Sequence, residues 1–457
     1  MRCIDCPLRV YKTEIRSYRL KINFLYRFIS SLGELATEPV LRRLAARVGR
    51  TGEIWEQRLG HLPPWIIRSA PFDLWIHGVS VGEISVVQGI VERLRSKSPD
   101  ASIAVSSFTE TGLARAEKIF EETCRVIAYP LDMPRAVKRS ASILKPRIYA
   151  CVETELWPNL ISSVREQGAR TLLLNARISP KSFRAYRRIK AFIAPVLNQF
   201  DQICAISPAH AERIEQLGAD SSRIEITGNA KYELLLERPD PEKAGTLRRR
   251  LGIPGSMKVI VLGSLRSREH QMIMPVLRNL CREKGAPFFI VAPRHPGKVE
   301  DVKRSLDMCG LKYQVLSQVL NQTERADPYS TDVLLVDRIG YLFDLYGIST
   351  CAFVGGSLVP KGGQNIMEPA AWGKPVIFGP YMFNFEEAAS SLTESGGGLK
   401  VNDAGSLLSS LRTLLKEQEE CSRKGELARK TLERVAGNAA TRQAEHILEF
   451  LEMQCAV

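Results

Sequence analysis

The chain is 457 residues long, 44% hydrophobic and 25% charged, which suits two or three domains and a sizeable buried core. Its 32 Gly and 25 Pro rule out collagen-like or low-complexity sequence, the composition excludes intrinsic disorder, and no apolar run approaches the ~18 residues of a transmembrane helix. Basic residues outnumber acidic ones 64 to 50, a net charge of +14.

Half of that excess lies in residues 1–68, which hold 13 Lys/Arg against 6 Asp/Glu. Such a segment seeks phosphate, on anionic lipid or on nucleic acid, unless it is only a solvated face. KINFLYRFISSLGEL and PVLRRLAARVG place apolar residues at helical spacing with Arg on the remaining faces. An interfacial basic amphipathic helix has this pattern, and so does a helix packed on the first domain. Arg2, Arg9, Lys12, Arg16, Arg19 and Lys21 leave no apolar stretch for a secretory signal, so a protein of the cytosol or of the cytosolic membrane face is expected. Cys3 and Cys6 form a CxxC with no second pair and no His at zinc spacing, and Cys151 and Cys204 read as small buried hydrophobes of a reducing compartment.

From Pro71 short apolar runs alternate with segments of helical period, the pattern of βα units on a parallel sheet. Strands are predicted over 72–80, 102–107, 125–130, 147–153, 171–177, 201–207 and 223–228, with a long basic helix over 180–200. Residues 233–257 carry Pro239, Pro241, Gly252, Pro254 and Gly255 and read as a linker. A second alternation follows, with strands over 258–264, 288–294, 333–338, 350–357 and 375–380. The last stretch, 403–457, is helical; it caps the second domain or crosses back onto the first. The reading is therefore a basic segment 1–68, an α/β domain 69–232, a linker 233–257, a second α/β domain 258–402 and C-terminal helices. Two doubly wound, Rossmann-like domains leave a cleft at the carboxyl ends of their strands, where α/β ligands bind.

Four stretches carry candidate chemistry. In HGVSVGEIS, Gly82 lets the chain turn into a helix and Glu83 stands in its first turn, as a general base or as a group that complements the dipole and keeps a low pKa. In ETELWPNL, Glu153 and Glu155 follow a strand at the i, i+2 spacing that shares one face. Asn175 and Arg177, Lys231, Arg266 and Arg268, and Arg294 with His295 each follow a strand end and suit an anionic group. In VGGSLVPKGGQNIMEPAAWGKPVIFGP the glycines expose backbone N–H groups, NIMEPAAWG opens a helix whose N-terminus suits a phosphate, and Glu368, one turn in, suits ribose hydroxyls. There is no GxGxxG fingerprint and no P-loop, which argues against NAD and ATP.

SVGE, ETELWPNLI, NAR-S-KS, GN-K, PRHP, LYGIS, VGGSLV, GG-N-MEPAA-GKPVIFGP and NF, in this order from about Trp75 to Val401, resemble the 3-deoxy-D-manno-octulosonic acid (Kdo) transferases. The resemblance implies the GT-B architecture of two Rossmann-like domains facing a cleft. It implies inverting transfer of Kdo from CMP-Kdo to a phosphorylated lipid A precursor at the cytoplasmic face of the inner membrane, with no cofactor and no bound metal. By motif, Glu83 resembles the catalytic base, and at least one of Glu153 and Glu155 an active-site carboxylate. Lys231, Ser264, Arg294 and His295 fall on donor-facing positions, and Gly355, Gly356, Ser357, Asn365, Glu368 and Asn384 match the nucleotide-binding stretch.

The chain departs from the family pattern in its second half. It has GGQN, with Gln364, where GGHN is usual, and DRIGYL, with Arg338 and Tyr341, where DTMGEL is usual. Of STHxGEE it keeps only Ser264 and Glu269. Glu34, Thr37, Glu38 and Arg42 interrupt the N-terminal apolar stretch, so peripheral or monotopic attachment to an anionic membrane surface is expected. The rival readings are another sugar-nucleotide transferase or epimerase of this fold, and a basic non-enzymatic binder of nucleic acid or membranes. Aromatics at 7% speak against nucleic acid as a partner.

Overall fold

The computed structural model describes residues 26–41, 43, 50–266, 268–321 and 327–455. Cys3, Cys6, the six cations of residues 1–25, Arg42 and Arg47 lie outside them. The described chain forms two compact units, one built from the residues up to Glu233 together with those from Ala436 onward, the other from Leu234–Val435.

The first unit holds seven strands, β1 Leu74–His77, β2 Ile103–Ser107, β3 Arg125–Ala128, β4 Ile148–Val152, β5 Arg170–Ala176, β6 Gln202–Ala205 and β7 Ile224–Ile226. All pair in parallel, in the order β3-β2-β1-β4-β5-β6-β7. A parallel sheet is covered on both faces, so its central strands are largely apolar and buried. In β1, Leu74 and Ile76 enter one core with Ile148, Ala150 and Val152 of β4, whereas Trp75 enters the opposite core with Tyr149 and Cys151.

The second unit repeats the plan with β8 Val259–Leu265, β9 Phe288–Pro293, β10 Tyr313–Val315, β11 Val333–Leu335, β12 Cys351–Val354, β13 Val376–Phe378 and β14 Gly398–Lys400, in the parallel order β10-β11-β9-β8-β12-β13-β14. The first sheet reverses its strand order at β1/β4 and the second at β8/β12, with β10 and β11 also interchanged at the second sheet's edge. At such a switch point the loops after the two strands diverge and leave room for a ligand.

Several elements differ from the sequence reading. β10 and β14 are three-residue edge strands, too short to show a period. The basic helix breaks at Ile189 (φ −115°, ψ 31°) into Pro180–Arg188 and Lys190–Leu197. Within 233–257 stands a helix, Pro241–Arg250, whose Asp240 side chain accepts the Lys243 N–H at 2.9 Å; Pro241 opens this helix, as proline does at a first helical position. The terminal helix Ala439–Cys455 belongs to the first unit, where Ala440, Ala444, Ile447 and Leu451 pack with Ile84, Val87 and Val91. The Glu233 carboxylate accepts the Ala440 N–H and pairs with Arg93 at 2.8 Å.

The helix over 26–41 is bound to the first unit through polar groups. Tyr26 donates to Asp132 at 3.0 Å, Glu34 accepts the N–H groups of Arg135 and Ala136 at 2.9 Å each, and Glu38 pairs with Arg139 at 2.8 Å. Its apolar residues Phe28, Ile29, Leu32, Leu35 and Val40 are each more than half exposed. Among the described residues no helix is long and apolar enough to cross a membrane.

Candidate active site

At the switch point of the first sheet, Glu83 stands in the first turn of helix Val81–Lys97, which follows β1. It is buried, and its carboxylate accepts the Val79 N–H at 2.7 Å and the Ser80 hydroxyl at 2.9 Å. Burial raises its pKa and the nearby Glu153 adds to the rise, while those two donors and the Lys231 charge oppose it. The low pKa expected from the helix dipole is thus corrected, because desolvation outweighs the dipole at this depth. Gly82 is helical with an ordinary φ, and a Cβ there would lie 3.8 Å from Lys231 Nζ. Its smallness leaves space beside Lys231; the turn does not require it.

After β4, Glu153 adopts the left-handed region (φ 67°) and its Oε1 is paired with Lys231 Nζ and stands 4.0 Å from an Arg177 nitrogen. Glu155 accepts the Trp157 indole N–H at 2.6 Å. Burial, reinforced by the Glu83 and Glu153 charges, pushes the Glu155 carboxyl up to about 7. The first unit therefore gathers Glu83, Glu153, Glu155, Lys231 and Arg177, five of its sequence-derived candidates. Asn175 plays another part: it is buried at φ 49°, and its Oδ1 accepts the Ala230 N–H at 2.9 Å at the start of helix Ala230–Leu236, which carries Lys231.

In the second unit Ser264, near the end of β8, takes φ 57°. The Arg294 N–H donates to Leu265 O at 2.9 Å, and the side chains of Arg294 and the neighbouring His295 are exposed. The reading of the glycines as exposed N–H donors is corrected at Gly355, which donates to Gly263 O at 2.8 Å, and at Gly356. Gly356, Ser357 and Leu358 donate their N–H groups to the wholly buried Glu269 carboxylate at 2.6, 3.1 and 2.9 Å. Ser357 is buried too, its hydroxyl donating to Val354 O at 2.6 Å and accepting the Gly379 N–H at 2.9 Å. An acid from the helix Glu269–Cys281 takes up these N–H groups.

Glu368 is the second residue of the five-residue helix Met367–Ala371. Burial raises its pKa against the pull of Arg238, Asn365 and Arg294. Asn365 also accepts the Met367 N–H at 3.2 Å, and the exposed Asn384 donates its N–H to Gly362 O at 3.1 Å. Arg238 was missed from sequence: its guanidinium lies 4.0 Å over the Phe343 ring, a contact between segments far apart in the chain. Among the departures, Arg338 is exposed and donates to Asn321 Oδ1 at 3.3 Å, Tyr341 packs on the core, and Gln364 donates to Gly363 O at 2.8 Å. Among the described residues no group of three or more His, Cys, Asp or Glu is placed to hold a metal ion.

Comparison with known proteins bears on this arrangement. The family model described as 3-deoxy-D-manno-octulosonic-acid transferase (kdotransferase) matches residues 53–234. A 3-deoxy-D-manno-octulosonic acid transferase of Haemophilus influenzae is 32% identical over 84% of this chain and 86% of its own length. A bifunctional glycosyltransferase/methyltransferase of Fusobacterium nucleatum is 33% identical over 76% of this chain, which spans 53% of that protein. The crystal structure of a UDP-GlcNAc 2-epimerase from Neisseria meningitidis shares the fold, with a TM-score of 0.56 and 14% identity over 82% of this chain and 99% of its own. With both switch points carrying the motif residues and a third of the positions shared with a full-length relative, the chain belongs to the 3-deoxy-D-manno-octulosonic acid transferase family of glycosyltransferases.

Proposed function

We propose that this protein transfers Kdo from CMP-Kdo to a phosphorylated lipid A precursor in lipopolysaccharide core assembly, with inversion and with Glu83 as general base. The observation that carries the reading is the buried Glu83 carboxylate, its pKa raised, beside the Glu153–Lys231 pair. A base of this kind removes the acceptor hydroxyl proton as the oxygen bonds to the anomeric carbon. The bond from that carbon to the phosphate oxygen breaks at the same centre, and CMP departs with the electron pair. The sugar is cation-like in between, so a carboxylate on one face and cations on the leaving phosphate supply what the step needs. Arg294 and Arg238, both beside Glu368, are the cations we assign to the donor, with Glu368 and Asn365 for the ribose. Lys231 holds Glu153 and tempers the Glu83 pKa, so its role lies with the base.

The helix over 26–41 supports peripheral attachment at the cytoplasmic face of the inner membrane. It turns its polar groups to its own unit and leaves Phe28, Ile29, Leu32 and Leu35 outward, the face an interfacial helix buries in lipid.

The test is transfer from CMP-Kdo to a tetraacylated lipid A precursor with chelator present, products read by mass. Product with the wild type, and a rate lowered ~10²–10⁴-fold in Glu83→Gln with CMP binding retained, is the expected result. A Glu83→Gln enzyme at near wild-type rate removes Glu83 as the base. CMP-Kdo binding without transfer points to another acceptor.

A further inference from the structure

We infer that Glu269 is the positioning residue of the donor site: one buried carboxylate that sets the loop after β12 and the turn after β8 in a single arrangement. The inference rests on the reading of the second unit as the donor unit.

The geometry is that of a filled anion nest. Glu269 Oε2 accepts the N–H groups of Arg266 at 3.1 Å and Gly356 at 2.6 Å, and Oε1 accepts those of Ser357 at 3.1 Å and Leu358 at 2.9 Å. Its solvent exposure is 0%. A carboxylate so placed is tolerable only with its lone pairs met, and four backbone donors meet them. Successive N–H groups of a glycine-bearing loop form the concavity that elsewhere receives a phosphate or another external anion. Here the anion is part of the chain. The loop is preformed before any donor arrives, and the donor phosphate must be met by side chains instead.

Those side chains hang from the same carboxylate. Arg266 is tied through its N–H, and the adjacent Leu265 carbonyl accepts the Arg294 N–H at 2.9 Å. On the other side, a Cβ at Gly355 would meet Glu269 Oε2 at 2.7 Å and Leu265 Cα at 2.7 Å. The glycine is needed because the carboxylate and the backbone of Ser264 and Leu265 all crowd that position. Ser357, held by two of these bonds through its neighbours and its own N–H, carries the link onward to Gly379 after β13. Loosening Glu269 therefore frees the backbone at both strand ends of the switch point and lets the exposed Arg294 and the half-buried Arg266 wander from their places. The expected signature is a loss in donor affinity with the chemical step spared.

Glu269→Gln keeps the shape but sets an NH2 group against N–H donors. Two readouts apply to the full-length protein. Amide hydrogen exchange over 354–358, without ligand, is expected to quicken about tenfold or more. KM for CMP-Kdo is expected to rise by a similar factor, with kcat within about threefold and acceptor KM unchanged. Wild-type exchange together with wild-type donor KM overturns the inference, as does a fall in kcat alone. Should Glu269→Gln not fold, Glu269→Asp keeps the charge but draws the carboxylate back from the loop; it should raise donor KM in the same way, and a wild-type donor KM in that variant overturns the inference. Failure of the wild type to bind CMP-Kdo would overturn the donor reading and the donor half of the inference, while the exchange result would still decide whether Glu269 holds the loop.

Discussion

Lys231 Nζ is paired with Glu153 Oε1, and Glu153 reaches that partner from a left-handed backbone at φ 67°. The pair places a cation beside two carboxylates, and the Lys231 charge is one of the influences that lower the Glu83 pKa. Lys231→Met removes it. The Glu83 pKa then moves further up, and a base is active only when deprotonated, so the acid limb of the kcat/KM profile is expected at higher pH than in the wild type. A pH–rate series on both proteins checks this; coincident acid limbs would separate Lys231 from the base.

Glu155 gives a stability prediction with a defined window. Its carboxyl is pushed up to about 7 in the folded protein, against an ordinary 4.5 when unfolded. The folded state then holds the proton more tightly, so the stabilisation is full below 4.5 and is lost as pH rises to about 7. Discounted for partial exposure, the loss is ~1–2 kcal/mol. Glu155→Gln cannot lose it. The variant should melt a few degrees above the wild type at pH 8 and level with it at pH 4.5, measured by calorimetry.

For the donor cations, Arg294→Ala and Arg238→Ala are each expected to raise the KM for CMP-Kdo by ~10–100-fold, the worth of a hydrogen bond to a charged group. Arg294 is exposed and Arg238 rests on the Phe343 ring, so melting temperatures should move little. Unaltered kcat and KM in either variant removes that residue from the site.

The outward apolar row of the helix over 26–41 has its own test. Replacing Phe28, Ile29 and Leu32 by Ser takes nothing from the core and removes three side chains from a lipid interface. Binding to anionic vesicles, followed by flotation, should weaken at least about tenfold with an unchanged melting temperature. Equal flotation of the two proteins would show that this face does not meet lipid.

Much of the fold is legible in the sequence because buried parallel strands are continuous apolar runs, as in LWIH of β1 and CAFV of β12. The three-residue strands YQV and GLK have no room for a pattern, and Pro241 looks like a breaker until Asp240 is seen to cap the helix it opens. The first unit's site residues are readable because each follows a strand end and belongs to a motif. The second unit's are less so. Which atoms fill the Gly355–Leu358 nest depends on Glu269, 87 residues before Gly356, and the stacking of Arg238 on Phe343 joins segments just as distant; neither contact leaves a local mark on composition or period.

The return of helix Ala439–Cys455 to the first unit makes the second an insertion within the first. Leu234–Val435 can be excised as one uninterrupted piece, whereas no single piece of chain contains the whole first unit. A protein stopped before Ala436 would lose none of the second sheet, yet it would strip the cover from Ile84 and Val87, one and four residues after Glu83 on the same helix. Damage to that last helix is thus damage to the helix that carries Glu83, far away in the sequence, and a fragment holding the second unit is best cut from the middle of the chain.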